Sequence, residues 1–296
     1  MVNLMTVEMD DRELRRVRKA ILRRIQDYLY DAHDSLGADC ETVDMVDVLH
    51  HEGSRVGSLN YLTPRRGVGW VSGQMVARGL EQMQDQMRRG RVRIIGDLFP
   101  PMFGKIMDDL GLRVEWQEPL TVYVRDGLNG QPSQAIEMPP LPQGLQISSE
   151  HQRSSLWRYI QHSPHYNVTV SNVEPLFVDQ DSSSHIDVTL SECGFPVGVA
   201  RIGVQKDVGH ILAYALTQHS YNDSLARILQ TAALQAALDE GCALVFSQGG
   251  SAADQQLRQD LGFLDFGSMI CYAASPSGAN EEYHDDELGQ PVLAFQ

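Results

Sequence analysis

Apolar residues recur in two rhythms along this chain, and the rhythm changes where the secondary structure should change. Leu14, Val17, Ile21, Ile25 and Leu29 fall three and four residues apart. That spacing predicts an amphipathic helix over about 10–33. Val76, Leu80, Met83 and Met87 predict a second helix ending at Gly90, and "PPMFGKIMDDLGL" a third running to Gly111. Between them, "TVDMVDVLHH", "VRIIGDL" and "RVEWQEPLTVYV" read as strands, and "RVGSLNYLTPRRGVGWVSG" as strand–turn–strand with "PRRG" as its turn. Residues 126–143, "DGLNGQPSQAIEMPPLPQ", have no period and read as a linker.

The order then recurs. "GLQISSE" reads as a strand, "HQRSSLWRYIQHS" as a helix and "SHIDVTLSECG" as a strand. "FPVGVARIGVQKDVGHILAYALT" reads as a hairpin turning at "KDVG". Leu225, Leu229, Ala232 and Ala236 mark a helix ending near Gly241, followed by strand "ALVFSQ", helix "SAADQQLRQDLGF" and strand "LDFGSMICYAA". At an offset of 151, "GRVRIIGDLFPPMFGKIMDDLGL" lies over "GCALVFSQGGSAADQQLRQDLGF". This is the mark of an internal repeat, with Val56-Gly57 and Val197-Gly198 each opening a hairpin. The division is an N-terminal unit at 1–125, the linker at 126–143, a second unit at 144–275 and an acidic tail at 276–296.

Charge separates the halves further. Residues 1–125 carry 18 Lys and Arg against 19 Asp and Glu, and residues 126–296 carry 6 against 20, within a total of −15. The acidic second half disfavours nucleic acid and suits a cationic ligand. The basic residues of the first helix (Arg12, Arg15, Arg16, Arg18, Lys19, Arg23 and Arg24) read as a solvated face beside its apolar stripe. No apolar run reaches the roughly 18 residues of a membrane helix, and the N-terminal residues lack a signal-peptide core, so a cytoplasmic, non-membrane protein is expected. The four cysteines form no CxxC pair and read as separate reduced thiols. No His/Asp/Cys cluster has metal-ligand spacing.

Three features carry a family resemblance: "LGF" at Leu261–Phe263, the "VGVARIGV" strand at Val197–Val204 and the "ALDEGC" helix end, set in this order of elements. With them the chain resembles the GNAT superfamily of N-acetyltransferases, best over 144–274 and less over 10–125. The resemblance implies an α+β fold of mainly antiparallel sheet with flanking helices, arranged as two GNAT-like domains in tandem. It also implies acyl transfer from acetyl-CoA or another acyl-CoA to an amine, small molecule or peptide, without a metal. The splayed strand would be His210–Thr217, with Ala215, Leu216 and Thr217 pairing with the pantetheine arm. Asn222, Ser224, Leu225 and Ala226 would hold the pyrophosphate at the next helix start, where unpaired N–H groups and the dipole favour an anion.

The chain departs from the family pattern at that loop, which has Asn222, Asp223 and Ser224 where the family has Arg and two glycines. Asp223 would repel a pyrophosphate. The family's acid, a Tyr four residues before the Gly of "LGF", is Arg258 here, and a guanidinium does not give up its proton. Tyr214, His219 and Arg258 are the catalytic candidates, with His210 and Tyr221 nearby, and Arg258 reads as a solvated helix residue. Asp179, Asp181, His185 and Asp187 offer an acidic rim or a flexible loop. "RRGVG" at Arg65–Gly69 imitates a phosphate motif, but the repeat places it in a hairpin turn and makes the first half structural. Two readings stay open: a divergent acyltransferase, and a tandem GNAT-fold protein that binds a ligand or protein partner without catalysis. A monomer is plausible for a tandem pair, beside a homodimer.

Overall fold

The computed structural model describes residues 10–128, 136–151, 154–175, 184–218 and 223–274. Helix α1 (Asp11–Ser35) opens at Asp10, whose carboxylate accepts from the Arg12 N–H. Strands β1 (Asp39–Val43), β2 (Val46–His50) and β3 (Tyr61–Pro64) follow, then α2 (Gly73–Asp85), β4 (Arg91–Ile95), α3 (Met102–Asp109) and β5 (Leu112–Val124). The second half has β6 (Leu145–His151), α4 (Ser154–His162), β7 (Tyr166–Val170), β8 (His185–Glu192), β9 (Phe195–Gln205) and β10 (Val208–Thr217). It ends with α5 (Asp223–Asp239), β11 (Leu244–Gln248), α6 (Ala252–Asp260) and β12 (Leu264–Ala274).

Among the described residues the strands form one 12-stranded sheet in the order β1-β2-β3-β4-β12-β5-β11-β10-β9-β8-β6, with β7 beside β10. The pairs are antiparallel except β3–β4 and β10–β11. The sequence β3-α2-β4-α3-β5 is repeated as β10-α5-β11-α6-β12. Both third helices end on a left-handed glycine, Gly111 (φ 75°) and Gly262 (φ 89°), which is why "LG" recurs. The last strands are exchanged. β12 lies between β4 and β5, and β5 lies between β12 and β11, so each half completes the sheet of the other.

Two readings are corrected. The segment 55–73 is not a hairpin: Gly57 opens a short 3₁₀ turn, and the single strand β3 leads through 65–72 into α2. The hairpin of the first half is β1–β2, turning at Asp44 (φ 55°) just upstream. Gly57 is therefore not the counterpart of Gly198, and "RRGVG" sits in a strand-to-helix connection. Strand β7, "YNVTV", has no counterpart in the elements read from the sequence.

Helices α1 and α4 pack on one face and α5 on the other. The stripe of α1 joins β2, β3, β4 and β12 in the largest core cluster. Ile228, Leu229 and Ala233 of α5 pack on Val188, Ile202 and Leu216, and Trp157 and Ile160 of α4 on Val199, Ala213 and Ala215. The acidic rim divides. Asp179 and Asp181 lie outside the described residues, whereas Asp187 is buried, chelating the Arg201 guanidinium at 2.8 Å and accepting from Trp157 Nε1 at 2.8 Å. It is a core ion pair, not part of a rim.

Candidate functional site

Parallel strands that diverge leave a wedge between them, with unpaired backbone on both walls. The second half has such a fork. β10 pairs with β11 only from Val208↔Leu244 to Ile211↔Ser247, and its register against β9 shifts between Ile211 and Ala213. Buried N–H and C=O groups must find partners, and here the chain supplies them itself. β7 runs antiparallel along the open edge, from Ala213↔Val170 to Thr217↔Tyr166. The Ser171 N–H adds a bond to the Leu212 carbonyl at 2.7 Å, and the Gln218 N–H one to His165 at 2.8 Å. Ala215 and Leu216, assigned by the resemblance to the pantetheine arm, thus face β9 on one side and β7 on the other, and Thr217 faces β7. Ser224, Leu225 and Ala226 form the first turn of α5, exposed, half-buried and buried in turn, behind Asp223. His219, Tyr221 and Asn222 lie outside the described residues.

Beneath the fork is a polar cluster. Arg258 is 2% exposed, so it is not a solvated helix residue. Its Nη1 donates to Ser247 Oγ at 2.6 Å, its Nε to the Asp254 carbonyl at 3.2 Å and its Nη2 to the Gly249 carbonyl. Burial lowers its pKa, opposed by Tyr214, Asp254 and Glu118, and the group serves as a clamp on the β11–α6 turn. Asp254 also closes a capping box with Ser251. The Tyr214 hydroxyl is buried without a hydrogen-bond partner, and burial, then the Asp254 charge, raise its pKa. It stays protonated near neutrality, so it can donate a proton but cannot act as a base. On the other wall Glu118 accepts from the amides of Asn172 and Gln248, and Gln248 Oε1 is buried without a partner. The structure thus brings Tyr214 and Arg258 together around Asp254.

The segment after β7 locks the wedge. Glu174 is 2% exposed and accepts from Tyr28 Oη at 2.9 Å; His210 Nδ1 lies 2.9 Å away and His185 Nε2 3.8 Å. Burial pushes its pKa up, but the neighbouring His185 and His210 rings outweigh that and hold it below the usual carboxylate range. His210 stacks on Phe246 at 4.2 Å, with its Nε2 unpartnered. His210 and His185 are therefore core partners of a carboxylate. The Val173 carbonyl accepts from Arg93 Nη1 at 2.8 Å and lies 3.0 Å from His33 Nε2. Burial and Arg93 push the His33 pKa down to about 3, so the ring is neutral, donating to Val173 and accepting from Tyr61 Oη at 2.9 Å. Through these bonds residues 165–175 tie the two halves together.

The first half has its own fork. β3 and β4 share one register pair, Leu62↔Val92, before they separate. Here side chains of α1 fill the gap. Gln26 Nε2 donates to the Pro64 carbonyl at 3.2 Å, and Arg23 Nη2 to the Val68 carbonyl at 2.8 Å. The connection from Arg65 to Ser72 carries two arginines and two glycines into the start of α2, where Ser72 is the N-cap. Gly67 has φ 79°, and a Cβ added at Gly67 or Gly69 meets nothing within 4 Å. The loop composition that the resemblance expects after the splayed strand of the second half is thus found at the matching place of the first.

Among the described residues no group of three or more His, Cys, Asp or Glu side chains is placed to hold a metal, and no helix is long and apolar enough to cross a membrane.

The architecture has solved counterparts. A GCN5-related N-acetyltransferase from Kribbella flavida matches at TM-score 0.69 and 14% identity, over 86% of this chain and 96% of that one. A tandem GNAT protein from the clavulanic acid biosynthesis pathway matches at TM-score 0.53 and 10% identity, over 78% and 79%. A GCN5-related N-acetyltransferase from Sphaerobacter thermophilus matches at TM-score 0.52 and 12% identity, over 78% and 81%. No family model matches the chain, and no curated protein matches it. The chain has the GNAT fold, a mainly antiparallel α+β architecture, with its strand–helix unit present twice.

Proposed function

We propose that this protein is an acyl-CoA-dependent acyltransferase whose first half, not its second, receives the phosphate end of the carrier. The observation that carries this is the loop Arg65–Ser72. It joins a splayed parallel strand to a helix, its glycines leave open space above the backbone, and it carries Arg65 and Arg66, the latter 3.5 Å from Asp27 and stacked over Tyr30. Backbone N–H groups at a helix start, with cations nearby, favour a phosphate. The second half offers the opposite: Asp223 at the helix start and an edge filled by β7. In this reading the second half is a closed scaffold that supplies β12 to the sheet of the first, and the acceptor is a small molecule or peptide amine. The likeness of fold to the acetyltransferases above supports acyl transfer as the reaction class, and a cytoplasmic protein remains the expectation from its sequence.

One feature favours a second reading, a ligand- or partner-binding protein without catalysis. Both forks are self-filled, by β7 on Ala213–Thr217 and by Gln26 on Pro64.

Calorimetric titration of acetyl-CoA into wild type, Gly69→Glu and Ser224→Tyr separates the cases. Micromolar binding lost in Gly69→Glu alone supports the first-half site. Loss in Ser224→Tyr alone returns the carrier to the second half. No binding by wild type at millimolar acetyl-CoA leaves the non-catalytic reading.

A further inference from the structure

A groove of about 840 Å³ runs between the first turns of α1, the segment 96–104 at the start of α3 and the outward residues of β12. This is the size of a small-molecule site. Its two sides differ in chemistry. One wall is cationic, with Arg12, Arg15, Arg16, Arg18 and Lys19. The floor is apolar and aromatic, built on Phe99, Phe103, Ile270 and Tyr272.

The cationic wall is costly by its own physics. Arg12, Arg15, Arg16 and Lys19 stand at i, i+3, i+4 and i+7, so they share one face and repel one another. They also occupy the N-terminal turns, where the helix dipole is already positive. Asp11 and Glu13 on the same turns offset part of this field. Asp97 is the carboxylate that lines the groove, and it lies 4.0 Å from Arg18. Arg18 is further engaged by the Asp265 carbonyl at 2.7 Å and the Phe266 ring at 4.2 Å. The side chains of Arg12, Arg15, Arg16 and Lys19 form no ion pair or hydrogen bond with a described residue. An arrangement of like charges beside an apolar floor is relieved by a ligand that is acidic at one end and apolar at the other.

We infer that this groove binds a small amphiphilic acid, its carboxylate or phosphate against Arg12 and Arg16 and its apolar body along Phe99, Phe103 and Tyr272. The site stands whether or not the first half transfers acyl groups. The expectation of a cationic ligand came from the charge of the second half; here the charged wall comes from α1 of the first half, and the second half contributes only the β12 residues of the floor.

The test is calorimetry on the full chain with four probes: octyl phosphate, octanoate, inorganic phosphate and octyl glucoside. One acid saturates a single site per chain, and the tighter of the two identifies the head group. Inorganic phosphate binds at least tenfold more weakly, and octyl glucoside shows no saturable binding. The double variant Arg12→Glu/Arg16→Glu weakens the acid at least tenfold, whereas Arg55→Glu, an exposed charge outside the groove, does not. Gly104→Leu also weakens it: the added Cβ has Tyr272 Oη at 3.5 Å as its nearest contact, so the side chain enters the groove beside Tyr272. Circular dichroism checks that each variant is folded. The inference is overturned if neither acid saturates, if octyl glucoside binds as tightly, if inorganic phosphate matches octyl phosphate, or if Arg55→Glu weakens binding as much as the double variant. It is overturned equally if either folded groove variant binds like wild type.

Discussion

Val168 of β7 lies directly opposite Ala215 of β10, in a ladder that occupies the edge left open where β11 turns away. The pairing is antiparallel and in register over the whole of β7, so it is a strand of the sheet and not a loop resting on it. Val168→Pro removes an N–H and disfavours the ladder. Hydrogen exchange is expected to show at least tenfold faster exchange for those amides of Ala213–Thr217 that point to β7. The amides of β9 that face β8 should keep their protection. Unchanged exchange across Ala213–Thr217 would mean that β7 is not paired there in solution.

Arg258 is placed to test the difference between a surface and a buried cation. On a solvated helix face, Arg258→Met would change stability by less than about 0.5 kcal/mol. Buried as it is, the substitution strips donors from Ser247 and the Gly249 carbonyl. A loss of about 2–4 kcal/mol is expected in urea denaturation.

Tyr28 reaches Glu174 only because residue 203 has no side chain. A Cβ at Gly203 would stand 2.3 Å from Tyr28 Oη. Gly203→Ala is expected to displace the ring and weaken the Tyr28–Glu174 bond, costing roughly 1–3 kcal/mol. Pairing it with Tyr28→Phe gives a double-mutant cycle. The two changes should be less than additive, because both act on one contact.

His33 gives stability a pH slope of known sign. Its folded pKa is depressed to about 3 from an ordinary value near 6.5, so below 6.5 the unfolded chain binds a proton that the folded one refuses. Its contribution is full above about pH 6.5 and falls by up to about 1.4 kcal/mol per pH unit as pH drops toward 3. Glu174, held below its usual range, adds a loss only below about pH 4.3. Urea midpoints measured from pH 7 to pH 5 should therefore fall in wild type and flatten in His33→Gln.

The exchanged last strands make the halves interdependent. Expressed alone, residues 1–125 leave β5 without either neighbour and β4 without β12. That fragment is expected to give no cooperative thermal transition, and co-expression with residues 126–296 to restore one. A cooperative transition in the lone fragment would show that the first half closes its own sheet.

The apolar rhythm determined what is local. α1, α3, α5 and α6 and nearly every strand of the second half stand where period and turn residues put them, because helix and strand periodicity depend on neighbours a few residues away; α2 stops at Asp85, short of the predicted Gly90, with Met87 turned left-handed (φ 53°) and exposed. The repeat was legible for the same reason: Gly111 and Gly262 end their helices by backbone chemistry that the letters "LG" carry. Pairing is different, since it joins residues far apart in sequence. β12 entering between β4 and β5, β7 filling the fork of β10 and Asp187 finding Arg201 leave little local trace. For β7 the available signal was the alternation of Tyr166, Val168 and Val170 behind Pro164. Arg258 was misplaced because a polar residue on an amphipathic helix looks the same in sequence whether it meets water or a buried turn. The RRGVG loop was misplaced because the Val-Gly pairs at 56–57 and 197–198 were taken as the same point of the repeat, whereas Gly57 opens a 3₁₀ turn and Gly198 lies within β9. Burial and strand neighbours arise only when the halves pack, and at this protein's two forks that packing decides what backbone is left for a ligand.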